Sequence, residues 1–198
     1  MRPGATLVFL DANILYSRTL RDWFALISKR SGAEGIRLRC SEDVLAEWLY
    51  HWRRKHPERA DAAVGGLRTQ FLRACPDAVI AGYEISPALL EGGDTFDAHV
   101  VAAASHGGVD YLVTSNLADF ESLRDHFEFE IYAPDDLLCL ILERRPDAVR
   151  KALLDNIAYW SAKPGSKDVV EALIDAGAPN FADGVRGLRT KLAMTGRY

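Results

Sequence analysis

Short apolar runs alternate with longer amphipathic stretches along most of the chain. The runs at residues 7–10, 36–40, 79–83, 111–114 and 129–132 have the length and composition of β-strands. The first is apolar throughout, as in a central strand that is covered on both faces. Apolar residues at helical spacing separate these runs. The alternation predicts an α/β fold with a mainly parallel, five-stranded sheet.

Caps, prolines and glycines mark the predicted helices. Ser41 is a natural N-cap, followed by two acids in the first turn of its helix. The other predicted helices cover 14–29, 57–75, a segment that Asp94 can cap and that ends at Ser105, 134–143, 146–160, 168–176 and 180–194. The final helices lie beyond the α/β pattern. We therefore predict a domain over residues 1–145 and a helical C-terminal extension over 146–198.

Composition is typical of a globular protein with a sizeable core. The chain has 198 residues, of which 48% are hydrophobic and 26% charged. The first apolar run is too short for a signal peptide or a membrane span. The three cysteines are odd in number, lack metal-ligand spacing and have apolar neighbours. Buried, reduced thiols and a cytoplasmic location without membrane contact are the expectation.

The formal net charge of −4 argues against binding nucleic acid over a broad surface. An acidic protein can still be a nuclease when its carboxylates are gathered in a metal site, because bound cations invert the local field. The charge also leaves room for a basic partner that masks such a site.

Acidic and polar residues are expected at the carboxyl ends of the predicted strands, where open α/β sheets bind ligands. The four acids are Asp11 after strand one, Glu47 in the helix after strand two, Asp97 at the start of the helix before strand four, and Asp119 after that strand. The supporting polar residues are Asn13, Thr114, Ser115 and Asn116.

Carboxylates this close together repel one another, and a divalent cation removes that penalty. Mg²⁺ and Mn²⁺ prefer oxygen ligands and activate water for attack on a phosphodiester. Asp11, Glu47 and Asp97 are the expected metal-binding core. Asp119 would be a fourth ligand, directly or through water. Asp94 has three readings that stay open: helix cap, member of the acid cluster, or both.

Each acid also has a purely structural interpretation. Asp11 can cap a helix, Asp97 can complement a helix dipole and Asp119 can be a turn residue. Glu47 can be a solvated helix residue, with Asp43 one turn earlier as its rival for the metal. These interpretations leave the shared location of the acids unexplained.

Two neighbouring features have similar alternatives. His99 is interpreted as a packed or partly exposed side chain rather than a ligand. The aromatic and basic stretch at 48–56 is either an RNA-contacting surface or an amphipathic helix with Trp48 and Trp52 in the core.

Four segments resemble the ordered motifs of PIN-domain ribonucleases. They are Asp11-Ala12-Asn13, the stretch 41–47 that ends in Glu47, the stretch 94–104 that contains Asp97, and the stretch 113–120 that contains Asp119. The resemblance covers about residues 5 to 140. It implies a PIN-like three-layer α/β/α sandwich, Mg²⁺ or Mn²⁺ as cofactor, and RNA as substrate.

Many small bacterial members of this family are VapC-type toxins of toxin–antitoxin pairs. The resemblance therefore implies an antitoxin protein as a partner and a homodimer as an assembly. The C-terminal helices make this chain longer than the minimal toxins.

Two other functions remain as alternatives. A phosphatase of the haloacid dehalogenase kind also places an Asp after strand one, and Gly93-Asp94-Thr95-Phe96-Asp97 imitates its acidic motif. However, Asn13 replaces its second acid, and Thr114-Ser115 follows the acidic motif instead of preceding it. The other alternative is a catalytically silent PIN scaffold that only binds RNA or a protein partner.

Overall fold

A computed structural model describes residues 4–91, 97–163 and 165–194 of the chain. Its central sheet has five strands in the order β3-β2-β1-β4-β5. Every neighbouring pair in this sheet is parallel. The strands are β1 Thr6–Leu10, β2 Ile36–Ser41, β3 Val79–Ile80, β4 Tyr111–Val113 and β5 Glu130–Tyr132.

Helices flank the sheet and make the molecule a three-layer α/β/α sandwich, as predicted. They are α1 Ala12–Tyr16, α2 Arg18–Arg30, α3 Glu42–Lys55, α4 Asp61–Ala74, α5 Pro87–Glu91, α6 Ala98–His106, α7 Pro134–Arg144, α8 Pro146–Ser161, α9 Val169–Asp175 and α10 Pro179–Met194. A 3₁₀-helix, Leu117–His126, joins β4 to β5.

The strand order reverses between β1 and β4. From β1 the chain moves outward through β2 to β3, then returns to β4 on the other side of β1. Leu10 pairs with Val113, so the ends of β1 and β4 lie side by side. The crevice at such a switch point is where open parallel sheets bind ligands.

Strand burial follows from this central position. Val8, Phe9 and Leu10 have no exposed surface, because helices cover both faces of β1. The C-terminal helices belong to the same cluster of buried residues, and the Trp23 and Phe181 rings meet edge to face at 5.1 Å. The predicted boundary at residue 145 therefore crosses a continuous hydrophobic core.

Several predicted boundaries differ from the structure. The helix predicted over 14–29 is two helices, because the Ser17 side chain accepts a hydrogen bond from the Leu20 amide and starts a new one. The helix predicted from Pro57 begins at Asp61. Strand β3 ends at Ile80, three residues before the predicted end. Neither α5 nor the 3₁₀-helix was predicted.

Cysteine burial and membrane contact were also predicted from composition. All three cysteines are free; Cys40 and Cys75 are buried, but Cys139 is only half-buried. Among the described residues, no helix combines the length and apolar character needed to cross a membrane.

Candidate active site at the switch point

Asp11 occupies the first position after β1, beside the end of β4. Its backbone amide donates to the Val113 carbonyl at 3.2 Å, which extends the pairing of the two strands by one residue. Thr114 follows β4 and is fully buried, while Asp11 is 6% exposed. Strand pairing thus holds a carboxylate and a hydroxyl together inside the crevice.

Both oxygens of the Asp11 carboxylate accept hydrogen bonds. Oδ1 accepts from the Ala12 amide at 2.6 Å. Oδ2 accepts from Asn13 Nδ2 at 2.6 Å and from the Thr114 hydroxyl at 2.7 Å. Burial nevertheless raises the pKa of Asp11 above its ordinary value, because desolvation outweighs the stabilisation that these donors give the charged form.

Asn13 and Thr114 tie this carboxylate to the loop after β4. Asn13 Nδ2 lies 3.0 Å from the Thr114 hydroxyl, and Asn13 Oδ1 accepts from the Ser115 amide at 3.0 Å. The Asn116 amide donates to the Thr114 hydroxyl at 3.1 Å. Asn116 Nδ2 donates to the half-buried carboxylate of Asp119. The network therefore connects Asp11 to Asp119 through Thr114 and Asn116. Asn13 and the Ser115 amide belong to the same network.

Glu47 approaches the site from helix α3. The helix starts where predicted: the Ser41 hydroxyl accepts from the Val44 amide at 3.2 Å. The Glu47 side chain is 42% exposed. Partial desolvation raises its pKa, the charge of Asp11 raises it further, and His99 and His51 oppose the shift. Glu47 is therefore within electrostatic reach of Asp11.

Two histidines flank Glu47, and the sequence interpretation gave neither a role in the site. His51 Nε2 lies 3.6 Å from Glu47 Oε1, and His99 Nε2 lies 3.9 Å from Glu47 Oε2. The i, i+4 spacing of Glu47 and His51 was a readable signal for the first contact. The second joins α6 to α3 and depends on tertiary packing. His99 is 19% exposed, which agrees with the predicted packed side chain.

Asp97, Asp94 and Asp43 complete the set of candidate acids. Asp97 is the half-buried N-cap residue of α6, and its carbonyl accepts from the Val100 amide at 3.0 Å. It lies two residues before His99 in the sequence. Asp94 lies outside the described residues. Asp43 accepts a hydrogen bond from the Tyr83 hydroxyl. Of the two rival acids on α3, Glu47 is the one whose pKa is raised by the charge of Asp11.

The donor chemistry of the site suits a hard cation. Asp11 and Glu47 supply carboxylate oxygens whose mutual repulsion a divalent ion would relieve. Among residues 4–91, 97–163 and 165–194, however, no group of three or more His, Cys, Asp or Glu side chains is arranged to hold a metal ion. Among the four acids predicted as ligands, Asp11 acts electrostatically on Glu47, and hydrogen bonds through Thr114 and Asn116 connect Asp11 to Asp119.

Comparison with known proteins identifies no relative: no protein-family model, curated protein or solved structure matches the chain. The likeness to PIN domains therefore rests on the four motifs and stays a prediction.

Proposed function

We propose that this protein is a divalent-metal-dependent endoribonuclease that hydrolyses RNA phosphodiesters. The observation that carries the proposal is the hydrogen-bonded network from Asp11 through Thr114 to Asp119 at the switch point of the sheet. Burying a carboxylate is expensive unless it is paired or binds a metal. The raised pKa of Asp11 indicates that its hydrogen bonds do not fully offset that expense.

Each residue has a distinct role in this proposal. Asp11 and Glu47 would hold Mg²⁺ or Mn²⁺, and Asp97 and Asp119 would complete the ligand set directly or through water. The ion would supply an activated water and neutralise charge on the scissile phosphate. Thr114 and Asn13 fix the orientation of the Asp11 carboxylate, as partners of ligating carboxylates commonly do. Asn116 does the same for Asp119.

The test is cleavage of a mixed pool of structured RNAs in Mg²⁺, in Mn²⁺ and in EDTA. Wild type should cleave only with metal, and Asp11→Asn and Asp97→Asn should each abolish cleavage. Asp136→Asn, which changes an exposed acid of α7, is the matched control and should cleave normally. Cleavage that survives both site substitutions would overturn the assignment.

A catalytically silent scaffold that binds RNA or a protein is the second candidate. It is favoured by the finding that no described group of three His, Cys, Asp or Glu is arranged to hold a metal. RNA binding in EDTA that is unchanged by metal, together with no cleavage in any condition, would support the scaffold over the nuclease.

We also propose the biological setting that the resemblance implies, namely a cytoplasmic toxin restrained by an antitoxin, and a homodimer as its assembly. An antitoxin side chain with a positive charge would be attracted to Asp11, Glu47 and Asp119 and would compete with the metal. Growth arrest on expression that Asp11→Asn relieves would support the toxin role. Light scattering of the purified chain tests the dimer.

A further inference from the structure

A groove that is separate from the acidic site lies between α2, α4 and α8. The cavity has a volume of about 640 Å³, and none of Asp11, Glu47, Asp97 or Asp119 lines it. Five aromatic side chains contribute to its lining: Tyr16, Trp52, Phe71, Tyr159 and Trp160. Tyr159 is 47% exposed, and its ring lies edge to face against the neighbouring Trp160 ring at 5.1 Å.

Cations lie over several of these rings. The Arg18 guanidinium carbon is 4.6 Å from the centre of the Trp160 ring. Lys163 Nζ is 3.8 Å from the centre of the Tyr159 ring and also donates to the Tyr159 hydroxyl. Lys55 Nζ is 5.6 Å from the centre of the Tyr16 ring. Positive charge therefore lies against three of the aromatic rings that line the groove.

The groove has more positive charge than the molecule as a whole. Arg18, Arg21 and Lys29 line it together with two carboxylates, Asp22 and Asp155. Asp155 is neutralised from outside the lining by Arg30, whose Nε donates to it at 2.6 Å. Asp22 lies 3.6 Å from Arg18 Nε and 3.8 Å from Arg21 Nε, and Lys55 and Lys163 add charge beside Tyr16 and Tyr159. The cations in and around the groove outnumber its two carboxylates, and a local excess of positive charge on a protein of net charge −4 suits a polyanion.

The groove and the acidic site share two helices, α1 and α3. Asp11 caps the N-terminus of α1, and Tyr16 ends the same helix. Five residues of helix correspond to roughly 7.5 Å of rise, and the same rise separates Glu47 from Trp52 on α3. Two aromatic residues of the groove therefore lie roughly 7.5 Å along a helix axis from the two coupled acids and about 140° around it, so a bound strand has to curve around the helix to reach the acids.

We propose that this groove binds single-stranded RNA and presents the adjoining strand to the acidic site. The inference rests on the proposed nuclease function for its choice of RNA as the polyanion. Unpaired bases stack on Tyr and Trp rings and on Arg planes, while Lys and Arg hold the phosphates. A duplex keeps its bases stacked inside and would use only the cations.

The proposal assigns a role to the C-terminal extension. Tyr159 and Trp160 belong to α8, so the stacking surface exists only when this helix packs on α2. An acidic peptide would pair with the same cations but would leave the ring surfaces without a function. The aromatic content therefore favours RNA over an acidic protein.

Binding of a labelled single-stranded RNA, on the order of 12 nucleotides long, tests the inference. Fluorescence anisotropy is measured on the full chain in EDTA, so that cleavage does not interfere. Tyr159→Ala should weaken binding by about 5- to 150-fold, the range for losing one base stack. Tyr159→Phe keeps the ring and should bind within about twofold of wild type.

Salt dependence supplies a second measurement that does not remove an aromatic side chain. Lys163→Gln should reduce the slope of log affinity against log salt by about 0.7, the value for one phosphate contact to a single strand. Lys151→Gln, an exposed residue of α8 outside the groove lining, should leave the slope unchanged.

Three results would overturn the proposal: Tyr159→Ala that binds like wild type, equal affinity for the same RNA as a duplex, or poly-glutamate that competes as well as RNA. The last would indicate an acidic protein partner. Because EDTA removes divalent metal ions, the anisotropy assay measures RNA binding without cleavage. Tight binding of single-stranded RNA without cleavage in metal would support the RNA-binding groove and contradict the nuclease activity. Metal-dependent cleavage by a protein whose RNA binding is unchanged by Tyr159→Ala and Lys163→Gln would support the nuclease activity and contradict the groove.

Discussion

Asp11 shows how far local hydrogen bonding can stabilise a buried carboxylate. It accepts three hydrogen bonds, from Ala12, Asn13 and Thr114, and each lowers its pKa. Desolvation still prevails and raises the pKa of the carboxyl above its ordinary value of 3.8. The folded protein therefore destabilises the charged form of this side chain, and a bound cation is the simplest means of offsetting that effect.

The raised pKa of Asp11 predicts a specific pH dependence of stability. Between the ordinary and the raised pKa, the folded state binds more protons than the unfolded chain, so the free energy of unfolding falls as pH rises through that window. Asp11→Asn cannot titrate there, and it also removes the charge that raises the pKa of Glu47.

Urea unfolding in EDTA, compared between about pH 4 and about pH 7, measures this effect. Wild type should gain stability relative to Asp11→Asn as the pH is lowered. If the two curves of unfolding free energy against pH run parallel, Asp11 does not have a raised pKa and the argument for a strained carboxylate fails.

Thr114 offers a test of the network that spares every acid. Thr114→Val has nearly the same shape but cannot donate to Asp11 Oδ2 or accept from Asn13 and Asn116. If the protein is a nuclease, kcat/KM should fall by about 10- to 100-fold, the usual effect of removing a partner of a metal ligand. Thr114→Ser keeps the hydroxyl and should retain most activity. Equal loss in both variants would point to packing instead.

The residues of the candidate site could be predicted from the sequence, but only some of the contacts between them could. Asp11, Asn13 and Thr114 end adjacent strands, and parallel strands bring their carboxyl ends together, which the alternating pattern implies. The approach of His99 to Glu47 was not readable, because it depends on how α6 packs against its neighbours. Segments far apart in sequence determine such contacts.

At the scale of elements, some N-terminal capping signals predicted where helices begin, and others did not. Ser41 caps α3 as predicted, and Pro134 and Pro146 begin α7 and α8. Pro57 misled the prediction because α4 starts four residues later, at Asp61, without a side-chain cap. The continuous helix predicted over 14–29 failed because a serine side chain can replace a helical hydrogen bond locally.

The attachment of α10 depends on a buried acid of α7. Asp135 is 7% exposed; its Oδ1 accepts from the Phe181 amide at 2.8 Å and its Oδ2 from the Asn180 amide at 3.1 Å. Asp135 thus caps a helix other than its own. Asp135→Asn should lower the free energy of unfolding by about 1–3 kcal/mol, because the amide keeps one acceptor oxygen and sets an NH2 group against the donors that the other oxygen satisfied.

Urea unfolding checks this expectation, with Asp136→Asn as the matched control. Asp136 is the next residue of α7 and is exposed, so its substitution should change stability by less than about 0.5 kcal/mol. RNA binding by folded Asp135→Asn should remain normal, since Asp135 lies in neither the acidic site nor the groove. A loss of stability shared equally by both variants would contradict the capping role.

At the scale of the molecule, the C-terminal helices behave as part of the core and supply part of the groove. Arg145 donates to the Glu34 carbonyl at 3.1 Å, and α8 packs along α2. The division at residue 145 was predicted because these helices lie outside the α/β repeat. Periodicity shows which face of such a helix is apolar, but it does not show what that face covers.

Shared packing predicts that the whole chain unfolds in one cooperative transition. Phe181 has no exposed surface and packs edge to face against Trp23, which joins α10 to α2. Phe181→Ala should lower the free energy of unfolding by about 3–5 kcal/mol, since it removes a large buried ring and leaves a cavity. Ile174→Ala, at an exposed position of α9, should change it by less than about 0.5 kcal/mol. Tryptophan fluorescence and circular dichroism should give coincident urea curves. If Phe181→Ala instead separates them into two transitions, with the first confined to the C-terminal helices, these helices form an independent unit, and the groove can open without unfolding the acidic site.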